Sequence, residues 1–247
     1  MMLSKEKYLS IARKVDLNFK DDGKARDLLD SMLSSRDFNV VERLIKDNFV
    51  FIFGCGPSLK GDILDLKNSK LLYGAVLVAV DGAVQALLEE NIDPDLCVTD
   101  LDGDLDSLVE ASRRGCVMIV HAHGDNIDRI EEITPILQGT KLGTTQIEST
   151  EKIKNFGGFT DGDRAVHLAA HFKARKIFLF GMDYGELVSR YSGKAKQGEA
   201  KLVKLKLGKQ LLEELAGSTR IPIVNATGSG EVIWNTERVR IKDLKLE

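Results

Sequence analysis

The chain has 247 residues, of which 43% are apolar, 30% charged and 6% aromatic, and its formal net charge is −3. This composition excludes a disordered chain, and the lack of a basic block argues against nucleic acid as a partner. Because the N-terminus has no apolar signal-peptide core and no run approaches the ~20 apolar residues of a membrane span, we expect a cytoplasmic protein with no membrane partner.

Residues 1–48 carry apolar side chains at helical spacing, which predicts a small N-terminal helical region. Three stripes support this prediction: Tyr8, Ile11, Ala12 and Val15; Leu28, Leu29, Met32 and Leu33; and Val40, Val41, Leu44 and Ile45. Asp21 and Asp22 precede the second stripe and are candidates for its N-terminal cap. We therefore divide the chain into a helical region, 1–48, and a main domain, 49–247.

From residue 49 onwards, short and nearly continuous apolar runs alternate with amphipathic segments. The runs are Phe49–Phe53, Val76–Val80, Leu96–Thr99, Val117–His121, Lys141–Thr145, Ile177–Phe180 and Ile221–Asn225. Such runs are typical of parallel strands covered on both faces, and the segments Ala83–Glu90 and Asp163–Phe172 suit crossover helices. The sequence therefore predicts an α/β fold with a Rossmann-like, doubly wound and mostly parallel sheet.

The C-terminal part of the sequence predicts a long helix and a closing element. Residues 194–216 are rich in lysine, and an apolar stripe that includes Leu205, Leu211 and Leu215 gives the helix a buried face. We interpret its lysines as a solvated face. The tail from Ala226, which holds the single Trp234, predicts a closing strand or hairpin.

Ligands of open α/β sheets bind at the carboxyl ends of the strands, and the first such end is the turn Gly54-Cys55-Gly56-Pro57-Ser58. A dinucleotide fingerprint needs a third glycine, but Leu59 stands in its place, so the turn is weak support for NAD. We predict that Gly54, Gly56 and Ser58 cradle phosphate through backbone N–H groups. An ordinary strand-to-helix turn is the alternative, and its cysteine is a minor candidate for a reactive thiol.

The end of the third strand carries four alternating carboxylates: Asp100, Asp102, Asp104 and Asp106. Carboxylates this close repel one another in a partly desolvated cleft, and a bound Mg²⁺ removes that cost, with substrate phosphates as further ligands. We therefore assign all four to a magnesium site. Asp81, at the end of the second strand, is a candidate for metal or nucleotide contact. The alternative is a capped helix, with Asp106 or Ser107 as the N-cap and the other acids solvated.

Two further strand ends carry polar residues. After the fourth strand, His121 and His123 precede Gly124-Asp125-Asn126. These histidines are either a zinc pair without an obvious third ligand, hydrogen-bonding partners of a substrate or phosphate, or structural residues. After the fifth strand, the turn Thr160-Asp161-Gly162-Asp163-Arg164 opens a helix. Its first aspartate is a candidate cap, and its arginine either contacts phosphate oxygens or is an ordinary surface residue.

The order of these motifs resembles known families. Gly103–Ser107 resembles the GD-hydrophobic-DS motif of thiamine pyrophosphokinases. The longer series GxGPSL, VxVDGA, PDLCVTDLDGD, HAHGDN, GFTDGDRAV and GMDYG resembles the archaeal-type 6-hydroxymethyl-7,8-dihydropterin pyrophosphokinases over roughly residues 48–190. This resemblance implies Mg²⁺-dependent transfer of diphosphate from ATP to a reduced pterin, with release of AMP, in tetrahydrofolate or methanopterin biosynthesis.

Under this hypothesis the candidate site residues fall into three groups. The metal would be held by Asp100, Asp102, Asp104 and Asp106, and the catalytic candidates are Asp104, Asp106 and Asp125. The nucleotide and phosphate candidates are Gly54, Gly56, Ser58, Asp81, Gly124, Asn126, Thr160, Asp161, Asp163 and Arg164.

Other functions stay open at this point. HAHGDN stands where thiamine pyrophosphokinases usually carry a Lys-Asp-x-Thr-Asp segment, which argues against thiamine as the substrate. A nucleotide-sugar transferase, related to proteins that glycosylate flagellin, and a non-catalytic nucleotide-binding module are the further alternatives. The sequence leaves the oligomeric state open, a homo-oligomer included.

Overall fold

A computed structural model describes residues 21–185, 189–192 and 199–247. Its strands are β1 (Phe49–Phe53), β2 (Val76–Val80), β3 (Leu96–Thr99), β4 (Val117–Ala122), β5 (Lys141–Thr145), β6 (Ile153–Lys154), β7 (Lys176–Phe180), β8 (Ile223–Asn225) and β9 (Glu237–Arg238). Its α-helices are α1 (Asp22–Met32), α2 (Asn39–Ile45), α3 (Leu59–Ser69), α4 (Ala83–Glu89), α5 (Leu105–Arg113), α6 (Ile127–Ile133), α7 (Asp161–His171) and α8 (Glu199–Ser218). Short 3₁₀ helices span Leu71–Gly74, Gly124–Asn126 and Ile241–Asp243.

The nine strands form one sheet in the order β6-β5-β4-β3-β2-β1-β7-β8-β9, and every neighbouring pair is parallel. The predicted strands are all present, with bounds that agree to within two residues. The tail forms β9, which pairs parallel with β8 and closes the sheet as a strand and not as a hairpin. The predicted α/β, doubly wound fold is confirmed.

Both faces of the sheet are covered by helices, because the strands carry apolar side chains on both sides. One face packs against α1, α3, α4, α5 and α6 through residues such as Leu29, Ile63 and Leu87. The other face packs against α2, α7 and α8 through residues such as Val166 and Leu212. No helix in the described part of the chain is long and apolar enough to cross a membrane.

The chain reverses direction across the sheet next to β1. It runs outward from β1 to β6 and then returns to β7 on the other side of β1. Phe51 lies opposite Phe178 and Phe53 opposite Phe180, with ring centroids 5.2 and 5.3 Å apart. These aromatic pairs pack β1 against β7, next to the crevice at the carboxyl ends of the two strands.

The helices before β1 are part of the two layers that cover the sheet. Helix α1 buries Ala25, Leu29 and Leu33 in one layer, and α2 buries Val41 and Ile45 in the other. The first predicted stripe, at residues 8–15, lies outside the described residues.

The predicted cap of α1 is wrong. Asp21 occupies the N-cap position, but its side chain makes no capping hydrogen bond. Asp22 is buried inside the first turn and accepts hydrogen bonds from the Gly124 N–H at 2.8 Å and from Gln146 Nε2 at 3.2 Å. Asp22 therefore fastens α1 to the loops after β4 and β5, a long-range role that local spacing does not reveal.

Candidate active site

A cleft of about 460 Å³ lies along the carboxyl ends of the central strands. Its acidic side chains are Asp81, Asp100, Asp102, Asp161 and Asp183. Its apolar side chains include Val80, Phe159, Met182, Tyr184 and Leu205. His121, His123 and Gln146 line it from the ends of β4 and β5, and Lys201 and Lys204 line it from α8. Polar residues that the sequence placed after different strands therefore line one and the same cleft.

The first turn crosses the end of β7 at close range. The Gly54 N–H donates to Phe180 O at 2.8 Å, and the Gly56 N–H donates to Gly181 O at 2.7 Å. A Cβ atom at Gly56 would clash with the Asp183 carboxylate, which explains the glycine. Because the two N–H groups are engaged within the fold, the predicted phosphate cradle at this turn needs correction. The turn lines the cleft but does not offer these donors to a ligand.

Ser58 and Cys55 are also engaged in the fold. The Ser58 N–H and Oγ lie 3.3 and 3.0 Å from Asp183 Oδ2, and Ser58 does not line the cleft. Cys55 Sγ donates to Val80 O at 3.1 Å, and burial raises the pKa of the thiol well above its ordinary value. A protonated and hydrogen-bonded thiol is a poor nucleophile, which argues against the reactive-thiol reading.

Asp81 is a buried carboxylate at the end of β2. Its φ of 43° lies in the left-handed region, and the residue turns into the cleft at the start of α4. Asp81 Oδ1 accepts hydrogen bonds from Thr99 Oγ1 at 2.6 Å and from the Gly103 N–H at 3.0 Å. Burial and the nearby charge of Asp100 raise its pKa to about 7.

Asp100 and Asp102 follow β3 and line the same wall. Asp100 Oδ2 lies 3.3 Å from His123 Nε2, and Asp102 Oδ1 lies 3.4 Å from Arg129 Nη1. Burial opposes ionisation of Asp100, but the hydrogen bond and charge of His123 and the charge of Arg129 outweigh it and lower the pKa. Asp100 therefore carries negative charge more readily than Asp81 does.

Asp161 completes the acidic wall from the start of α7. Burial and the charges of Asp100 and Asp81 raise its pKa well above the ordinary value. In the described part of the chain, no group of three or more His, Cys, Asp or Glu side chains could hold a metal ion by itself. Since Mg²⁺ in nucleotide sites is bound by one or two carboxylates plus phosphates, this wall suits an ion that arrives with a nucleotide.

Asp104 and Asp106 do not join this wall. Asp104 is the N-cap of α5, and its Oδ2 accepts from the Ser107 N–H at 3.0 Å and from Ser107 Oγ at 2.7 Å. Both acids are exposed, and neither lines the cleft. The alternating spacing predicted four gathered ligands, but the helix begins at Leu105 and carries the last two acids outward. The capped-helix alternative is right in kind, with Asp104 in place of Asp106 or Ser107.

The loop after β4 supports the wall more than it lines the cleft. Asn126 is buried, donates to Asp100 O and His121 O at 2.8 Å each, and accepts from the His123 N–H at 3.1 Å. The Gly124 N–H is bonded to α1, and Asp125 is half-exposed and outside the cleft lining. Gly124 and Asn126 therefore stabilise the loop through hydrogen bonds within the fold, and the prediction that they contact phosphate is corrected.

The two histidines have different surroundings. His121 is buried, its Nδ1 lies 3.1 Å from Thr144 Oγ1, and desolvation lowers its pKa well below the ordinary value, so the ring is neutral. His123 is partly buried against Asp100. Their rings stack at 5.9 Å, and no third zinc ligand joins them among the described residues.

The turn before α7 is fixed by a capping box of Thr160 and Asp163, one residue before the predicted cap at Asp161. Thr160 is the N-cap and not Asp161. Asp163 is fully buried, and it accepts from the N–H groups of Phe159 and Thr160, both at 2.7 Å; burial raises its pKa to about 6. Arg164 is buried and donates to Phe159 O at 2.9 Å. The predicted phosphate contacts of Asp163 and Arg164 are therefore corrected: both shape the loop that presents Thr160 and Asp161 to the cleft.

The sequence interpretation missed the contribution of α8. Lys201 and Lys204 line the cleft, whereas Lys206 is exposed and Lys209 is paired with Glu231 at 2.7 Å. Leu205, which also lines the cleft, stands four residues after Lys201 and therefore on the same face of the helix. The spacing of Lys201 and Leu205 could have indicated that this lysine lies beside the apolar face of the helix. The many other lysines of the segment instead favoured the interpretation of a solvated face.

A solved structure shares the fold. The MAf glycosyltransferase of Magnetospirillum magneticum AMB-1 matches with a TM-score of 0.62 at 17% identity, over 98% of this chain and 42% of that one. At this identity the likeness concerns the fold alone. The thiamine pyrophosphokinase of Bacillus subtilis is a more remote match, with a TM-score of 0.33 and 22% identity over 71% of this chain and 58% of that one.

Curated archaeal proteins are much more similar. The 6-hydroxymethyl-7,8-dihydropterin pyrophosphokinase of Methanocaldococcus jannaschii is 42% identical over 209 residues, which cover 78% of this chain and 86% of that protein. Its namesake from Pyrococcus furiosus is 38% identical over 232 residues, 88% of this chain and 94% of that protein. A family model for MptE-like 6-hydroxymethylpterin diphosphokinases matches residues 26–188. The chain therefore belongs to the MptE-like 6-hydroxymethylpterin diphosphokinase family.

Proposed function

We propose that this protein transfers diphosphate from MgATP to the hydroxymethyl group of 6-hydroxymethyl-7,8-dihydropterin and releases AMP. The observation that carries the proposal is a cleft with an acidic wall, at the carboxyl edge of the sheet, in a member of a diphosphotransferase family. Two relatives at 42% and 38% identity bear the name of the pterin pyrophosphokinase. The expectation that the product serves tetrahydrofolate or methanopterin synthesis stays a prediction.

The acidic wall supports a magnesium requirement. Asp81, Asp100, Asp102 and Asp161 face one cleft, and two of them have pKa values raised by burial and by their neighbours. Asp100 and Asp102 would hold Mg²⁺ together with nucleotide phosphates, with Asp81 close by. When bound, the ion would neutralise charge on the phosphate chain and lower the cost of gathering these acids.

The apolar side of the cleft supports a flat ring as the acceptor. Phe159, Met182, Tyr184 and Leu205 line the cleft together with the polar residues of the strand ends. Planar heteroaromatic ligands gain most from such surfaces, while a few polar groups fix their orientation. His121, held neutral at the end of β4, and Gln146, at the end of β5, are polar groups of this kind.

The reaction that fits these residues is an in-line displacement at the β-phosphorus. The hydroxymethyl oxygen forms a bond to the β-phosphorus, the bond from that phosphorus to the bridging oxygen of the α-phosphate breaks, and AMP leaves with that oxygen. The hydroxyl proton passes to a carboxylate of the cleft. Asp81 suits this role because burial and the charge of Asp100 raise its pKa to about 7, which makes its carboxylate a better proton acceptor near neutral pH than an ordinary aspartate.

The direct test measures AMP by chromatography with MgATP and 6-hydroxymethyl-7,8-dihydropterin, with thiamine as a second acceptor and EDTA as the metal control. We expect AMP only with the pterin and only with the metal present. AMP formed with thiamine alone would keep the reaction class and replace the substrate. If neither acceptor yields AMP, the proposed activity is refuted.

Substitutions in the wall test the metal assignment in the same assay. Asp100→Asn and Asp102→Asn should each lower kcat/KM by about 100-fold or more, because they remove charge that acts on the phosphates. Asp128→Asn, an exposed acid on α6 outside the cleft, is the matched control and should match the wild type. Equal losses in Asp104→Asn and Asp106→Asn would extend the metal site to α5, as the sequence alone predicted.

A further inference from the structure

Two lysines of α8, Lys201 and Lys204, line the cleft. Lys201 Nζ donates to Ser192 O at 3.1 Å, and neither Lys201 nor Lys204 forms an ion pair with an acid in the described part of the chain. Other lysines of the molecule are neutralised, as Lys60 is by Glu90 at 2.5 Å and Lys209 by Glu231 at 2.7 Å. Among the described residues, the positive charges of Lys201 and Lys204 are therefore not neutralised by an acid.

No other lysine or arginine of the described residues lines the cleft. Arg164, the sequence's candidate for phosphate, is buried in the loop before α7. The Gly54 and Gly56 N–H groups of the first turn are bonded to the end of β7. For a phosphate chain in this cleft, the positively charged side chains available among the described residues are therefore the two lysines of α8.

Lys201 is held close to the crevice between β1 and β7. Ser192 O accepts from Lys201, and Ser192 Oγ donates to Cys55 O at 2.8 Å, so one short segment joins the lysine to the first turn. Ser189 Oγ also donates to Cys55 O, at 2.6 Å. This crevice is where open α/β sheets bind their ligands.

We propose that Lys201 and Lys204 bind the phosphate chain of the nucleotide donor in the same cleft as the acidic wall. The inference rests on the proposed function and assigns part of its site. The pterin acceptor is uncharged in this reaction, so a pair of cations has little to offer it, whereas a triphosphate carries several negative oxygens. The acids then act on the phosphates through a shared cation, and the lysines act on them directly.

The experiment compares Lys201→Gln, Lys204→Gln and the double variant with Lys206→Gln, an exposed lysine of the same helix that does not line the cleft. Calorimetry measures binding of MgATP without pterin, and steady-state assays give KM for each substrate. Each cleft variant should weaken MgATP binding by about tenfold or more, since a charge-assisted hydrogen bond to phosphate is lost. The KM for the pterin should stay within about twofold, and Lys206→Gln should match the wild type.

Conservative variants separate charge from packing. Lys201→Arg and Lys204→Arg keep the positive charge and should restore MgATP binding to within a few-fold of the wild type. Thermal unfolding of every variant checks that the fold is intact. Cleft variants that bind MgATP as tightly as Lys206→Gln would overturn the inference while leaving the proposed function standing. A wild-type protein that binds no MgATP would overturn both.

Discussion

At the scale of single residues, the crevice between β1 and β7 contains two buried acids that share one hydroxyl group. Ser58 Oγ lies 2.9 Å from Asp62 Oδ2 and 3.0 Å from Asp183 Oδ2, and it can donate its single proton to only one of them. Asp62 also accepts from the Gly181 N–H at 2.8 Å and the Gly228 N–H at 3.0 Å. Burial nonetheless dominates and raises the pKa of Asp62 to about 6.

This shift predicts how stability depends on pH. Below the ordinary aspartate pKa of about 3.9, Asp62 is protonated in both folded and unfolded chains. Between about 3.9 and 6 the unfolded chain releases the proton and the folded chain retains it, so the stabilising contribution is lost as pH rises and is gone above about 6. Compared with Asp62→Asn, the wild type should lose about 2 kcal/mol of unfolding free energy between pH 4 and pH 7. Urea titrations of both proteins at several pH values check this, and a pH-independent difference would contradict it.

At the scale of secondary-structure elements, the start of α5 decides which acids reach the cleft. Asp104 has an extended backbone, with φ −68° and ψ 114°, and its side chain bonds to the first turn of the helix. The loop before it leaves Asp100 and Asp102 facing the ligand side. A helix start therefore splits the alternating acids into a cleft pair and a capping acid.

The capping role has a measurable cost. Asp104→Ala should lower the unfolding free energy by about 1 kcal/mol, because the Ser107 N–H loses its acceptor, whereas Asp104→Asn should cost only a few tenths since asparagine caps as well. Denaturant-induced unfolding of the two variants measures the difference. If Asp104→Ala is as stable as Asp104→Asn, the cap does not stabilise the helix. The asparagine variant keeps the cap, so its turnover reports on charge alone.

At the scale of the whole molecule, the segment before β1 contributes one helix to each of the two layers that cover the sheet. Leu29 of α1 is fully buried on one face of the sheet, and Ile45 of α2 is fully buried on the other. Asp22 adds a polar connection from α1 to the loops that carry His123 and Gln146. The predicted division at residue 48 therefore does not separate two hydrophobic cores.

This packing predicts a single unfolding transition that includes the N-terminal helices. Leu29→Ala should destabilise the whole molecule by about 2–5 kcal/mol, the cost of a buried leucine, and so should Leu87→Ala on α4. Leu64→Ala, at an exposed position of α3, is the control and should cost well under 1 kcal/mol. A separate early transition, with the main transition unmoved in Leu29→Ala, would show that residues 21–48 form an independent unit.

The sequence by itself determined the fold class, the strands and the edge of the sheet where the site lies. It could do so because a parallel strand covered on both faces must be apolar along its whole length, as Phe49–Phe53 and Val76–Val80 are, and because polar residues after such strands meet at one edge. The motif order also pointed to the family, which the relatives confirm.

Only the tertiary structure decided which of those polar residues face the cleft. Asp163, Arg164 and Asn126 satisfy neighbouring backbone groups, and the glycine N–H groups bond to β7, because buried polar groups must find partners within the fold. Lys201 and Lys204 line the cleft because α8 packs against α7, whose first residue also lines it. Local spacing places a side chain on an element, but the packing of elements distant in the chain decides whether that side chain meets solvent, another backbone or a substrate.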